Sequence, residues 1–206
     1  MPVGDVPFSA AVLAGGASRR MGRDKALIEL DGLLLVERAL VSLAAAGARE
    51  VFVVGGDRSR LAARGHRVVA DIHPGQGPLG GIITALATSR HPVTAVLACD
   101  LVDPSPVPVT SLLGALGTSQ VAVPHVEGRD EWLHAVWRRE AREPLEAAFA
   151  GGARAVRTAG EVLAVTRLCD ADPCWFADAD TPGELAASLG ARTPPGRRRA
   201  PDAARR

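Results

Sequence analysis

The stretch Ala11–Leu30, AVLAGGASRRMGRDKALIEL, decides how the rest of the chain is read. An apolar run stops at Gly15 and Gly16, and the next nine residues carry Ser18, Arg19, Arg20, Arg23, Asp24 and Lys25. Glycines without Cβ atoms let backbone N–H groups approach an anion closely. Ser18 adds a hydroxyl donor, arginine offers a planar fork that suits phosphate, and Lys25 adds a point charge. A buried strand that opens into such a loop predicts a cradle for a polyphosphate. A P-loop is excluded because Lys25 is followed by Ala26, and the Gly-x-Gly-x-x-Gly dinucleotide fingerprint is absent after the strand.

Outward from this loop, short apolar runs alternate with longer Ala/Leu-rich segments. The pattern predicts strands at Ser9–Ala14, Glu50–Val54, Arg67–Ala70, Val93–Ala98, Gln120–Val123, Trp132–Val136 and Val162–Thr166. A weaker apolar run covers Cys174–Ala177. Helices are predicted at Leu34–Ala46, Ser59–Arg64, Leu79–Ser89, Val107–Leu116, Arg138–Ala150 and Thr181–Leu189, with Pro78 and Pro182 at helix starts. Alternating strands and helices predict an α/β fold: a Rossmann-like three-layer sandwich with a mostly parallel central sheet. One domain spans residues 1–191. The end, RTPPGRRRAPDAARR, has no apolar face, and 192–206 is read as a disordered basic tail, solvated rather than a polyanion-binding arm.

Of the 206 residues 47% are apolar, and the net charge is +1. That balance excludes a general nucleic-acid field, so any cationic site is local. No apolar run is long enough to span a bilayer and no secretory signal is visible. Cys99, Cys169 and Cys174 fit isolated reduced thiols better than a disulfide framework or a zinc site. Together these features point to a cytoplasmic protein. His66, His73, His91, His125 and His134 show no metal-ligand spacing, and His134 reads as a satisfied core histidine. No Ser/His/Asp order supports nucleophilic catalysis.

In an open parallel sheet, ligands bind beyond the carboxyl ends of the strands. Parallel strands would bring the glycine loop, Asp71, Asp100 and the Asp178/Asp180 pair to one edge. A carboxylate at the end of a buried strand has to be solvated, paired or bound to a cation. Magnesium combines one or two carboxylates with substrate phosphates, so Asp100 with Asp178 or Asp180 is a candidate metal site. Gly80 and Gly81 open the helix after the Asp71 loop. Either close approach of a ligand or close helix–strand packing accounts for them.

These segments resemble the molybdenum cofactor guanylyltransferases (MobA-like) within the nucleotidyltransferases. LAGGASRRMGRDKA (13–26) is similar to that family's signature; GPLGGI (77–82), VLACD (96–100), EWLHAVWRRE (131–140) and ADADTPGEL (177–185) resemble its later segments, in order. The resemblance implies a fold of the nucleotide-diphospho-sugar transferase type, GTP as substrate, Mg²⁺ as cofactor, and molybdopterin as acceptor. GMP would join the molybdopterin phosphate and pyrophosphate would leave. It implies nucleotide contacts at Leu13, Ala14, Gly15, Lys25 and Asp71, alongside Gly16, Ser18, Gly80 and Asp100, and magnesium on Asp100. Arg20 and Lys25 would hold the phosphate chain. Gly15 as the second small residue favours GTP over CTP. Candidate protein partners are molybdoenzyme apoproteins or delivery chaperones. Arg129, Arg138 and Arg139 read as solvated surface arginines, with contact to the anionic pterin as the alternative.

Three features depart from the family's pattern. Leu101-Val102-Asp103-Pro104 shifts the loop beyond Asp100; Asp178 and Asp180 stand where the family has asparagines; and Gly55 stands where it has another asparagine. Recognition of a base beside Gly55 would need backbone groups. Two alternatives remain: a transferase using CTP or another phosphorylated acceptor, and a non-catalytic nucleotide-binding module in cofactor delivery.

Overall fold

A computed structural model describes residues 6–15, 24–169 and 171–176. Gly16, Ser18, Arg20, Asp178, Asp180, the helix expected at Thr181–Leu189 and the tail lie outside the described residues. Strand β1 (Phe8–Leu13) is followed by a hairpin of β2 (Glu29–Leu30) and β3 (Leu33–Leu34). Its two-residue turn, Asp31-Gly32, has positive φ at both positions, as a type I′ turn requires. Then come α1 (Leu35–Ala45), β4 (Glu50–Val54), α2 (Arg58–Ala63), β5 (Val68–Val69), α3 (Pro78–Thr88), β6 (Val93–Ala98) and α4 (Pro106–Ala115). The last part holds β7 (Val121–Val126), β8 (Arg129–Asp130), β9 (Val136–Arg138), α5 (Arg142–Ala150), α6 (Val156–Gly160) and β10 (Val165–Leu168).

The main sheet runs β5-β4-β1-β6-β9-β7-β10, with β8 hairpinned onto β7. Strand β1 pairs in parallel with β4 and β6, β4 with β5, and β7 with β10. Strand β9 is antiparallel to both β6 and β7. Strands β5, β4, β1, β6, β7 and β10 therefore all point the same way.

Alternation along β1 builds the three layers. Ala10, Val12 and Ala14 join Val36, Leu40 and Leu43 of α1 and Leu112 of α4. Ala11 and Leu13 join Ile82, Ile83 and Leu86 of α3 and Leu145 of α5. Every residue of β1 and β6 is buried, which is why both read as apolar runs broken only by Ser9 and Thr94. Among the described residues, no helix is long and apolar enough to cross a membrane.

Four expected elements differ, and the first is the strand expected at Val162–Thr166, which forms at Val165–Leu168 where it pairs with Val121–Pro124. Trp132–Val136 is not a strand throughout: Trp132–His134 forms a 3-10 turn, closed by His134 N donating to Glu131 O at 3.0 Å. The Trp132 ring lies so close to Gly160 that a Cβ there would sit 2.5 Å from it. Pairing with β6 begins only at Val136, opposite Ala95. The helix expected from Arg138 starts at Arg142, because Arg138 ends β9 and Arg139–Ala141 is a 3-10 turn. Pro173–Phe176, which overlaps the weak apolar run at Cys174–Ala177 read with the strands, is also a 3-10 turn.

The start of α1 shows how the scaffold is pinned. Leu34 has no side-chain acceptor for the helix's first N–H groups, so Glu37 turns back and accepts from Leu34 N at 2.9 Å. Arg64 donates to the same carboxylate through Nε at 2.7 Å and Nη2 at 2.8 Å, and His66 Nε2 stands 2.8 Å from it. Chiefly the Arg64 hydrogen bonds, with those of His66 and Leu34, outweigh burial and hold Glu37 at about 2. A carboxylate depressed in the folded state stabilises it above its unfolded value, near 4.5, and that contribution is lost as pH falls toward 2. Glu37→Gln is therefore expected to lower Tm at pH 7 and to reduce its decline between pH 4.5 and pH 2. Scanning calorimetry across that window checks it; a Tm slope equal to that of the unmodified protein would refute it.

Candidate nucleotide site at the switch point

From β1 the chain winds outward to β4 and β5 on one side, and β6 lies on the other. Such a reversal opens a crevice at the carboxyl ends of the two central strands, where open α/β sheets bind ligands. The structure brings Leu13, Ala14, Gly15, Cys99 and Asp100 to this crevice. Cys99 N donates to Leu13 O at 3.2 Å, and Ala14 N donates to Val54 O at 2.9 Å.

The floor of the crevice is bare backbone. A Cβ on Gly55, where φ is +76°, would sit 3.2 Å from Gly15 Cα. One on Gly56 would sit 3.0 Å from Ala14 Cβ. Gly15 itself is exposed, and a Cβ built on it meets nothing within 4 Å.

The described chain resumes at Asp24, whose Oδ1 accepts from Ala26 N at 3.0 Å and caps a 3-10 turn at Lys25–Leu27. Ala26 is fully buried, which anchors the turn. Lys25 Nζ then stands 3.6 Å from Asp100 Oδ2, with 15% and 25% of the two side chains exposed. Two of the residues expected to do the chemistry thus meet, although 75 positions separate them in the sequence. Beside them, burial first, then the charges of Asp100 and Asp24, push the Cys99 thiol up to about 12.

Asp71 follows β5 at the same edge. Its Oδ1 accepts from His73 N at 2.9 Å and from Thr84 Oγ1 at 2.9 Å, bracing its loop on α3. Gly80 and Gly81 serve that packing. A Cβ on Gly80 would sit 2.7 Å from His73 Cβ, and one on Gly81 would sit 3.3 Å from Leu13 Cδ2.

The reversal of β9 rules out the pterin alternative for two of the arginines. Arg138 pairs opposite Val93, at the start of β6 and the far edge of the sheet. Its guanidinium donates to Ser119 O at 3.1 Å and to Gly117 O. Arg139 donates to Ser89 O and His91 O, both at 3.0 Å. Neither faces the crevice, whereas Arg129 on β8 stays at the site's edge of the sheet. His134 is the residue that sequence reasoning missed. It is buried as expected, but neither ring nitrogen has a hydrogen-bond partner. No sequence signal distinguishes such a histidine from a satisfied one.

A mostly parallel sheet between two helical layers, with a glycine-floored crevice and a Lys–Asp pair at its switch point, defines the nucleotide-diphospho-sugar transferase class of α/β fold. Within that class the chain belongs to the family described as the MobA-like NTP transferase domain, which matches residues 10–165. It is 38% identical over 184 residues to the probable molybdenum cofactor guanylyltransferase of Chloroflexus aggregans, covering 84% of this chain and 83% of that protein. It is 34% identical over 183 residues to the molybdenum cofactor guanylyltransferase of Rhodobacter capsulatus, covering 87% and 93%. The crystal structure of molybdopterin-guanine dinucleotide biosynthesis protein A from Archaeoglobus fulgidus superposes with a TM-score of 0.76 at 26% identity, covering 89% of this chain and 97% of that one. The 2-C-methyl-D-erythritol 4-phosphate cytidylyltransferase of Thermus thermophilus shares the fold, with a TM-score of 0.69 at 18% identity, covering 90% and 98%.

Proposed function

We propose that this chain, through one nucleotidyltransferase domain over 1–191, transfers GMP from GTP to the phosphate of molybdopterin and releases pyrophosphate. The observation that carries the reading is the Lys25–Asp100 pair at the switch point of a MobA-family chain. Its relatives from Chloroflexus aggregans and Rhodobacter capsulatus, named as guanylyltransferases, support the nucleotide and the acceptor.

In this reading Leu13 and Ala14 lie against the nucleoside, and the Gly15 and Gly16 amides with Ser18 donate to the phosphates. Lys25 and Arg20 neutralise the phosphate chain. Asp71 and Gly80 shape the wall beside it. An oxygen of the acceptor phosphate attacks the α-phosphorus in line, the bond to the β-phosphate oxygen breaks, and that oxygen leaves on pyrophosphate. Such chemistry asks the protein for positioning and charge neutralisation.

Asp100 fits a magnesium ion. It is a hard oxygen donor at a strand end, three-quarters shielded yet open to the crevice, and magnesium takes one or two carboxylates together with phosphates. Asp178 would be the second protein ligand. Magnesium bound there would offset triphosphate charge. The reaction belongs in the cytoplasm, with molybdoenzyme apoproteins or delivery chaperones receiving the product.

The test is pyrophosphate release from molybdopterin with GTP or CTP, in the presence of magnesium. Release with GTP and little with CTP is expected. Release with CTP alone would overturn the choice of base. Binding of GTP without release would overturn catalysis.

A further inference from the structure

His134 is buried without a hydrogen-bond partner, next to the carboxyl end of β6. Val96 N donates to Ala135 O at 2.8 Å, and Val136 lies opposite Ala95 in an antiparallel pairing. Residues just before Val136 therefore run beside the carboxyl end of β6, toward Asp100. His134 is 7% exposed. Neither Nδ1 nor Nε2 has a hydrogen-bond partner. The carboxylate of Glu131 stands 4.0 Å from Nδ1, beyond hydrogen-bond reach. The ring lies 5.7 Å from that of Phe176.

Two unpaired buried nitrogens destabilise the ligand-free protein, where a leucine or phenylalanine would fill the space without that penalty. Burial lowers the imidazole pKa against the opposing pull of Asp100, which favours the uncharged ring. It then has one N–H to give and one lone pair to receive. Strand β6 sets the sides: the segment after β1 delivers Lys25, and the segment before β9 delivers His134. The nucleotide's phosphate cradle belongs to the β1 side. The β9 side is left for the second substrate.

We propose that His134 binds the acceptor, its imidazole N–H donating to the phosphomonoester that attacks the nucleotide. This rests on the transfer reading above and deepens it on the acceptor side.

The test is equilibrium titration of the full chain, unmodified and as His134→Phe and His134→Asn, with molybdopterin and separately with GTP and magnesium, alongside thermal unfolding. His134→Phe is expected to raise the Kd for molybdopterin at least tenfold and to change that for GTP less than twofold. Its ligand-free Tm should be unchanged or higher. His134→Asn, which keeps an N–H donor, should recover part of the affinity. An unchanged molybdopterin Kd in His134→Phe would overturn the inference and leave the transfer reading standing. So would equal losses for both ligands, or a lower Tm in both variants. Binding of GTP but not molybdopterin by the unmodified protein would overturn both.

Discussion

Asp100→Asn is expected to slow pyrophosphate release by about 10³-fold, the scale of losing a charged group aimed at developing charge. The amide keeps the shape of the side chain and removes its charge. Asp100 is partly exposed and its ion pair with Lys25 spans 3.6 Å. Such a pair contributes no more than about 1 kcal/mol to folding, so the variant should unfold near the normal temperature. Lys25→Ala removes the other half of the pair and should slow release by about 10²-fold. The two residues would act on the same triphosphate, so the double variant should fall short of the product of the single effects. Steady-state pyrophosphate assays with circular dichroism melts check all three proteins. Activity above a tenth of normal in Asp100→Asn would remove Asp100 from the mechanism.

The largest effect on folding is expected from Trp137→Ala. Trp137 is fully buried on β9, the strand that joins β6 to β7, and its ring lies 6.0 Å from that of Trp132. Truncation leaves a cavity at the centre of the sheet and should destabilise by about 3–5 kcal/mol. For a chain of this size that lowers Tm by about 10 °C. Urea or thermal unfolding measures it, and a loss under about 1 kcal/mol would refute this account of the core. Because β9 carries the His134 turn, acceptor binding should weaken in this variant before GTP binding does.

The strands whose bounds were legible, Glu50–Val54 and Val93–Ala98, lie in the middle of the sheet, between helix layers. Their apolar runs end in glycine or a polar residue, so composition alone marks them. That Asp100 shares a sheet edge with Gly15 follows from strand direction, and the parallel pairing of β1 with β6 bears it out. The reversal of β9 was not seen, because WLHAVWRR carries no sign of direction. Spacing did carry one. Glu127 and Gly128 both have positive φ and close a tight hairpin, and fewer than a dozen residues then lead to β9, too few for a parallel crossover. Cys174–Ala177 misled because a short apolar run suits a turn as well as a strand. The missing partners of His134 depend on three-dimensional surroundings that no local pattern encodes.

The contact of Gly55 with Gly15 bears on attempts to re-engineer nucleobase choice. Most side chains at position 55 would press on the main chain at Gly15, at a φ that L-residues other than asparagine and aspartate resist. Substitutions other than the asparagine of the family's pattern would therefore disturb turnover before they altered selectivity. Variant libraries aimed at a new base would do better to leave this spot alone and diversify other walls of the cleft.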